Sequence, residues 1–194
     1  MKRRSAILFV GSMLALAFWS MTAYSQPNNP KQAQQDVLKL VKSMNGNKGN
    51  VKAQTAAMKK KYNLEDIMWF YKPRKKGGIG FGKDGDSIEL TIGKVGNPRA
   101  KGWTPKKRLA MRADLAKVAE FNRAIAEVAD LYANEFNDSK GKKNPALWKK
   151  FVKEMRKGAD DLDKAAKGQN AGAIQKAADN LNASCIKCHS EFRE

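Results

Sequence analysis

The chain has 194 residues, with 38 lysines and arginines against 19 aspartates and glutamates, so its formal net charge is +19. Hydrophobic residues make up 42% of the composition, which excludes a wholly disordered chain and suits a single domain. Two cysteines and one histidine are too few for a disulfide-dense scaffold, a four-cysteine zinc site or a multi-histidine metal centre.

The N-terminus has the three-part pattern of a secretory signal peptide. Basic residues at positions 2–4 precede an apolar run over residues 6–19, and small residues lead to Ser25. We therefore expect residues 1–25 to be removed and residues 26–194 to form one exported, periplasmic domain. An uncleaved anchor is the alternative, because this segment is just long enough to span a bilayer. An exported protein does not meet nucleic acid, so the positive charge indicates an acidic protein partner or an anionic surface.

Four helical regions are predicted from apolar residues that recur at spacings of three, four and seven. They cover residues 30–62, with a break at Asn45-Gly46, and residues 104–137, 144–168 and 170–192. The second and third regions open with a capping residue followed by proline, which is the pattern of a helix start. The sequence therefore predicts an all-α fold, an antiparallel four-helix bundle.

Residues 64–103 break this pattern with eight glycines, and only Ser87 to Ile92 alternates as a short strand does. We expect a glycine-rich insertion between the first and second bundle helices, folded over the bundle as a flap. The glycines at positions 78, 80 and 82 resemble a phosphate-binding loop. However, no strand–loop–helix unit flanks them and no Gly-Lys-Ser/Thr follows.

The two cysteines and the histidine lie together in Cys185-Ile186-Lys187-Cys188-His189, the spacing of a c-type haem attachment motif. Thiols at i and i+3 project from one helix face, so both can add to the vinyl groups along one haem edge. The histidine at i+4 then offers its imidazole to the iron. We expect one covalently attached haem c per chain, with Cys185 and Cys188 as thioethers and His189 as proximal ligand.

Two other interpretations of this motif are weaker. A redox dithiol normally lies at a helix N-terminus, where the dipole lowers the thiol pKa, whereas Cys185 and Cys188 end a helix. A zinc site needs at least one more cysteine or histidine than the chain contains.

The motif lies at the C-terminal end and is followed by Phe192 and Arg193, and on these residues the chain resembles class II c-type cytochromes of the cytochrome c′ family. The resemblance implies a four-helix bundle with haem at the end of the last helix, a basic residue (here Arg193) near its proximal face, and a homodimer. It covers residues 103–193 well and residues 30–62 loosely, and it leaves the glycine-rich insertion outside.

In such a bundle the end of the last helix lies beside the start of the helix at Pro30, the end of the second region and the start of the third, and the haem pocket is formed there. We expect Val41, Tyr132 and Phe151 to line it together with Arg193. Because no second histidine exists, the sixth iron position is either open or taken by methionine. Met68 is preferred, since it lies in an apolar run without a helix partner, and Met44 is the alternative.

The first functional hypothesis is a monohaem cytochrome that carries single electrons between redox partners. Binding of nitric oxide or carbon monoxide at an open distal face is the alternative. Peroxidase-type catalysis ranks last, because no histidine remains as a distal base, so we expect no enzymatic activity. Basic clusters at positions 72–76 and 101–108 favour an acidic redox partner, although a solvated face is the simpler interpretation.

Overall fold

The computed structural model describes residues 29–46, 50–136 and 144–193. Its helices are α1 (Pro30–Asn45), α2 (Val51–Lys61), α3 (Leu64–Met68), α4 (Ile88–Gly96), α5 (Pro105–Ala110), α6 (Arg112–Ala129), α7 (Pro145–Lys167) and α8 (Ala171–Phe192). Short 3₁₀ turns occupy Trp69–Tyr71, Arg74–Lys76 and Asp130–Glu135. These described residues contain no strand, so the all-α prediction is confirmed. The predicted signal peptide and the end of the second region at residue 137 lie outside them.

Helices α7 and α8 both begin at a capping asparagine. Asn144 accepts a hydrogen bond from the backbone nitrogen of Leu147 at 2.8 Å, and Pro145 supplies the first helical residue of α7. Asn170 caps α8 in the same way through the nitrogen of Ala173. The second predicted helix is interrupted once, at Met111, and is therefore present as α5 and α6.

The bundle consists of α6, α7 and α8 together with α4. Helix α7 packs against α6 on one side and against α8 on the other, while α8 packs against α4 along its remaining flank. Helix α1 packs chiefly against α6, α3 and α2. The position beside α8, predicted for the helix at Pro30, is thus occupied by α4.

The strand-like alternation at Ser87 to Ile92 is misleading, because these residues belong to the cap and first turns of α4. Ser87 accepts a hydrogen bond from the nitrogen of Leu90 and begins the helix. Two glycines let α4 approach α8 closely: a Cβ on Gly96 would lie 2.6 Å from the backbone of Asp179. The prediction of a strand was therefore wrong, since tertiary packing decides the structure of this short apolar segment.

The glycine-rich loop before α4 is organised by Arg74. Its guanidinium donates to the carbonyl oxygens of Gly82 and Lys83 at 3.0 and 3.2 Å, and its backbone nitrogen donates to Gly85. These hydrogen bonds join three carbonyl oxygens of the loop to Arg74. The loop leads into α4 and not into a strand–loop–helix unit, so the phosphate-loop interpretation receives no support.

Of the helices described, none combines the length and the apolar character that crossing a membrane requires.

Candidate functional site

The motif predicted to attach haem lies in the last turns of α8, which remains helical through Phe192. Cys185, Cys188 and His189 are all half-buried, and both cysteines are free thiols. Their spacing on a regular helix places the two thiols one turn apart, with the imidazole next to them. Ile186, between the cysteines, is 57% exposed, so one side of this turn faces solvent.

Both thiols lie in surroundings that disfavour a thiolate. Burial raises the pKa of Cys185 to about 12, with Glu89 as the next contribution, and burial raises the pKa of Cys188 to about 11. At neutral pH the two side chains are therefore protonated, which argues against a redox dithiol. Within the described ranges no three His, Cys, Asp or Glu side chains are grouped to hold a metal ion, so a zinc site has no support either.

Helix α4 brings a carboxylate to the histidine. Oε1 of Glu89 lies 3.3 Å from Nδ1 of His189, and both side chains are a little over one third exposed. The interaction with His189 is the largest influence on Glu89 and lowers the pKa of this carboxyl, against the opposing effect of burial. Arg193 and Lys72 add a smaller electrostatic contribution in the same direction. Arg193 thus lies near Glu89, and its position at the proximal face of a haem stays a prediction.

The 3₁₀ turn Trp69–Tyr71 also lies near the motif, beside the start of α4. Burial is the largest influence on Tyr71 and raises its pKa well above 10, and the neighbouring Cys185 and Glu89 act in the same direction. Its hydroxyl donates to Oδ1 of Asn122 on α6 at 3.0 Å. Tyr71, Asn122 and Glu89 are site neighbours that sequence reasoning missed, although the apolar run at Met68 indicated that this segment folds inward.

An aromatic cluster surrounds Phe192, one turn after Cys188. The Phe192 ring makes edge-to-face contacts with Phe136, Trp148 and Phe151 at centroid distances of 4.9, 5.1 and 6.2 Å. Phe151, predicted as a pocket residue, therefore lies next to the end of α8. Such a cluster supplies the apolar wall that a planar tetrapyrrole requires.

Tyr132 and Val41, which were also predicted to line the pocket, make contacts in other parts of the molecule. The Tyr132 hydroxyl donates to the backbone oxygen of Tyr62 at 2.7 Å, and the ammonium of Lys59 lies over its ring. This side chain therefore joins the 3₁₀ turn Asp130–Glu135, which follows α6, to the α2 region. Val41 is buried in α1, which packs mainly against α6 and its own neighbours.

The two candidate methionines are both half-buried against the core, and they differ in their elements. Met44 lies near the end of α1, away from the main contacts of α8. Met68 ends α3 and directly precedes the 3₁₀ turn that carries Tyr71 to Cys185. Of the two, only Met68 is carried by a segment that reaches the motif.

The basic clusters contain two arginines with internal partners. Arg108 is buried, and its guanidinium donates to the carbonyl oxygens of Val95 and Asn97 at 2.9 and 3.2 Å. Arg74 holds the glycine-rich loop. Arg108 is therefore withdrawn from the surface, whereas Arg74 is exposed together with the neighbouring Lys75 and Lys76.

The residues at the end of α8 fit a covalently bound haem. Two protonated thiols one helical turn apart are the groups that form thioethers with vinyl carbons. The imidazole faces Glu89 through Nδ1, which leaves Nε2 as its ligand atom. The aromatic cluster at Phe192 provides apolar surface beside them.

Comparisons with known proteins agree with this site. The family model described as Cytochrome C' matches residues 87–193, more than half of the chain. The match includes α4 and ends just after the motif, and it leaves α1 to α3 outside. No curated protein and no solved structure matches the chain. The predicted resemblance is confirmed by the family match: the chain belongs to the cytochrome c′ family, whose members bind haem.

Proposed function

We propose that the protein is an exported monohaem cytochrome that carries single electrons between redox partners. One haem c is held by thioethers to Cys185 and Cys188, with His189 as the proximal ligand. When bound, the haem iron supplies the one-electron exchange between the ferric and ferrous states. The chain's own residues hold the cofactor at the end of α8, shield one side with the aromatic cluster at Phe192, and leave the other side open to a partner.

The observation that carries this proposal is the exposure at the motif. Ile186 is 57% exposed between the two cysteines, and the His189 side chain is 37% exposed. Leu90, one residue after Glu89, is 67% exposed and lies on the neighbouring helix α4. A cofactor held at Cys185 and Cys188 therefore lies next to exposed apolar side chains. A redox partner can dock against such a surface.

Carbon monoxide binding by the ferrous holoprotein tests this function. An electron carrier with methionine as sixth ligand stays low-spin and binds carbon monoxide slowly, since the protein ligand must first dissociate. The sulfur-to-iron charge-transfer band in the near infrared reports that ligand. We expect the band to be lost in Met68→Ala and kept in Met44→Ala, which is the matched control.

Binding of nitric oxide or carbon monoxide is the second candidate function. It is favoured by the packing of α1, which keeps Met44 away from α8 and leaves Met68 as the one proposed methionine ligand. Rapid carbon monoxide binding, together with no charge-transfer band in the wild type, would replace the electron-carrier proposal with this one.

An acidic redox partner is part of the proposal, with Lys75 and Lys76 as exposed docking charges. Replacing both with glutamine should slow electron exchange at low salt and flatten its dependence on ionic strength. The matched control replaces Lys164 and Lys176, which are exposed near the opposite end of α7 and α8. Equal effects of the two double variants would contradict docking at the first pair and indicate a general effect of net charge.

A further inference from the structure

The carboxylate of Glu89 is placed to act on iron through the proximal histidine. We propose that Glu89 is a positioning residue: its Oε1 accepts the Nδ1–H of His189, fixes the tautomer that presents Nε2 to iron, and strengthens Nε2 as a donor. This inference rests on the proposed role of His189 as proximal ligand.

The packing of α4 against α8 brings Glu89 and His189 together. Glu89 lies in the first turn of α4, directly after the Ser87 cap. Further along α4, Gly93 faces the side chain of Asn182 and Gly96 faces the backbone of Asp179 on α8. The two helices are therefore antiparallel and close together, and this register places residue 89 level with the motif.

The charges around Glu89 also favour this role. Lys72, from the segment before the glycine-rich loop, and Arg193, just beyond α8, both lie near the carboxylate. Cationic neighbours favour an ionised carboxylate, which is a stronger acceptor for an imidazole N–H than a neutral group. The described contacts thus assemble a carboxylate–histidine pair from two helices at the predicted iron ligand.

A carboxylate at Nδ1 makes the imidazole more basic, and a more basic axial ligand stabilises ferric over ferrous iron. We therefore expect Glu89 to lower the reduction potential of the holoprotein. It should also raise the iron–histidine stretching frequency of the ferrous form. This vibration is resolved in five-coordinate iron, so it is measured with each variant combined with Met68→Ala, which opens the sixth position. Neither quantity depends on the redox partner, so both can be measured on the purified protein.

Three variants separate positioning from net charge. Glu89→Gln removes the charge in place, Glu89→Asp keeps the charge on a side chain one methylene shorter, and Glu191→Gln removes an exposed charge from the last turn of α8. Glu89→Gln and Glu89→Asp should both raise the potential and lower the iron–histidine frequency. Glu191→Gln should leave that frequency unchanged.

The outcomes distinguish this inference from the function on which it rests. An iron–histidine stretch in Met68→Ala that disappears when His189→Ala is added supports the proximal ligand, whatever Glu89 does. If that holds and both Glu89 variants keep the frequency of Met68→Ala alone, the positioning role is overturned. A change in potential that is equal for Glu89→Gln and Glu191→Gln, with none for Glu89→Asp, would also overturn it, since charge alone would explain the data. Circular dichroism of each holoprotein confirms that the variants are folded.

Discussion

Helices α6 to α8 and the glycine-rich residues 64–103 flank the same site, but their sequences specify their structures in different ways. Each long helix carries many turns of apolar periodicity, which identifies the buried face before any contact is known. Helix α4 has only nine residues, rich in β-branched side chains, and its conformation depends on the helix against which it packs. Long repeats specify structure locally, whereas short segments take it from their neighbours.

The same contrast applies to the site. The haem motif is a local pattern, so its three residues could be proposed from their spacing alone. Glu89 and Tyr71 reach the motif through the packing of α4 and of the 3₁₀ turn before the loop. The segment that looks like a flap therefore supplies two side chains to the site and one helix to the bundle.

Replacing Arg108 should have the largest effect on stability, and it tests whether α4 is part of the bundle. Arg108→Met leaves the buried carbonyl oxygen of Val95 and the partly buried one of Asn97 without their charged donor. Hydrogen bonds to charged groups contribute about 1.5–3 kcal/mol each, so we expect the free energy of unfolding to fall by about 3 kcal/mol. Urea denaturation of the holoprotein measures this change.

The exposed Arg99 provides the control, because Arg99→Met should change the unfolding free energy by no more than about 0.5 kcal/mol. If Arg108→Met is no more destabilising than Arg99→Met, α4 is only loosely attached, which contradicts its place in the bundle.

Glycine replacements compare the two contacts of α8 directly. A Cβ on Gly96 would lie 2.6 Å from the Asp179 backbone, and a Cβ on Gly158 would lie 2.9 Å from Cα of Leu181. Gly96→Ala and Gly158→Ala should each lower the unfolding free energy by about 2 kcal/mol, since overpacking forces the helices apart. Gly172→Ala, which meets only an ordinary side-chain contact, is the control. If Gly158→Ala lowers the unfolding free energy and Gly96→Ala does not, α4 can shift away from α8 to accept the added methyl group, whereas α7 cannot.

Acid should loosen the helices outside the family match. Burial opposes ionisation of Asp36, but hydrogen bonds from Tyr62, Lys39 and Lys61 outweigh it and lower the pKa of the carboxyl to about 2. The carboxylate therefore stabilises the fold above pH 4, and this contribution is lost as pH falls through 4 toward 2. Because the ion pairs are partly exposed, we expect about 1 kcal/mol at most.

Urea denaturation of the wild type and of Asp36→Asn at pH 5 and pH 2.5 measures this contribution. The wild type should lose its advantage over the variant at the lower pH. An advantage that is unchanged at pH 2.5 would contradict the lowered pKa of Asp36.

Most of the fold could be predicted because its signals are local. The Asn144-Pro145 pattern predicted the start of α7, and the turn at Asn45-Gly46 predicted the end of α1. The strand at Ser87 was wrong because alternation over six residues does not distinguish a strand from a short buried helix. Choosing α1 as the neighbour of α8 had a similar cause, since chain order does not specify which helix packs beside which.

The buried and loop-holding arginines show a further limit of sequence patterns. Arg74 and Arg108 both lie in runs of basic residues, which predict a charged surface. Their guanidinium groups instead donate to backbone carbonyl oxygens, which are partners that composition does not reveal. Only the three-dimensional arrangement shows which charges remain available to a partner.

The central claim is that one haem is covalently bound at Cys185 and Cys188, and the mass of the denatured, exported protein tests it most directly. We expect the polypeptide from residue 26 to carry the mass of one haem after acid–acetone extraction, and Cys185→Ala/Cys188→Ala to carry none. A wild-type chain that has the mass of the bare polypeptide after extraction would contradict the account.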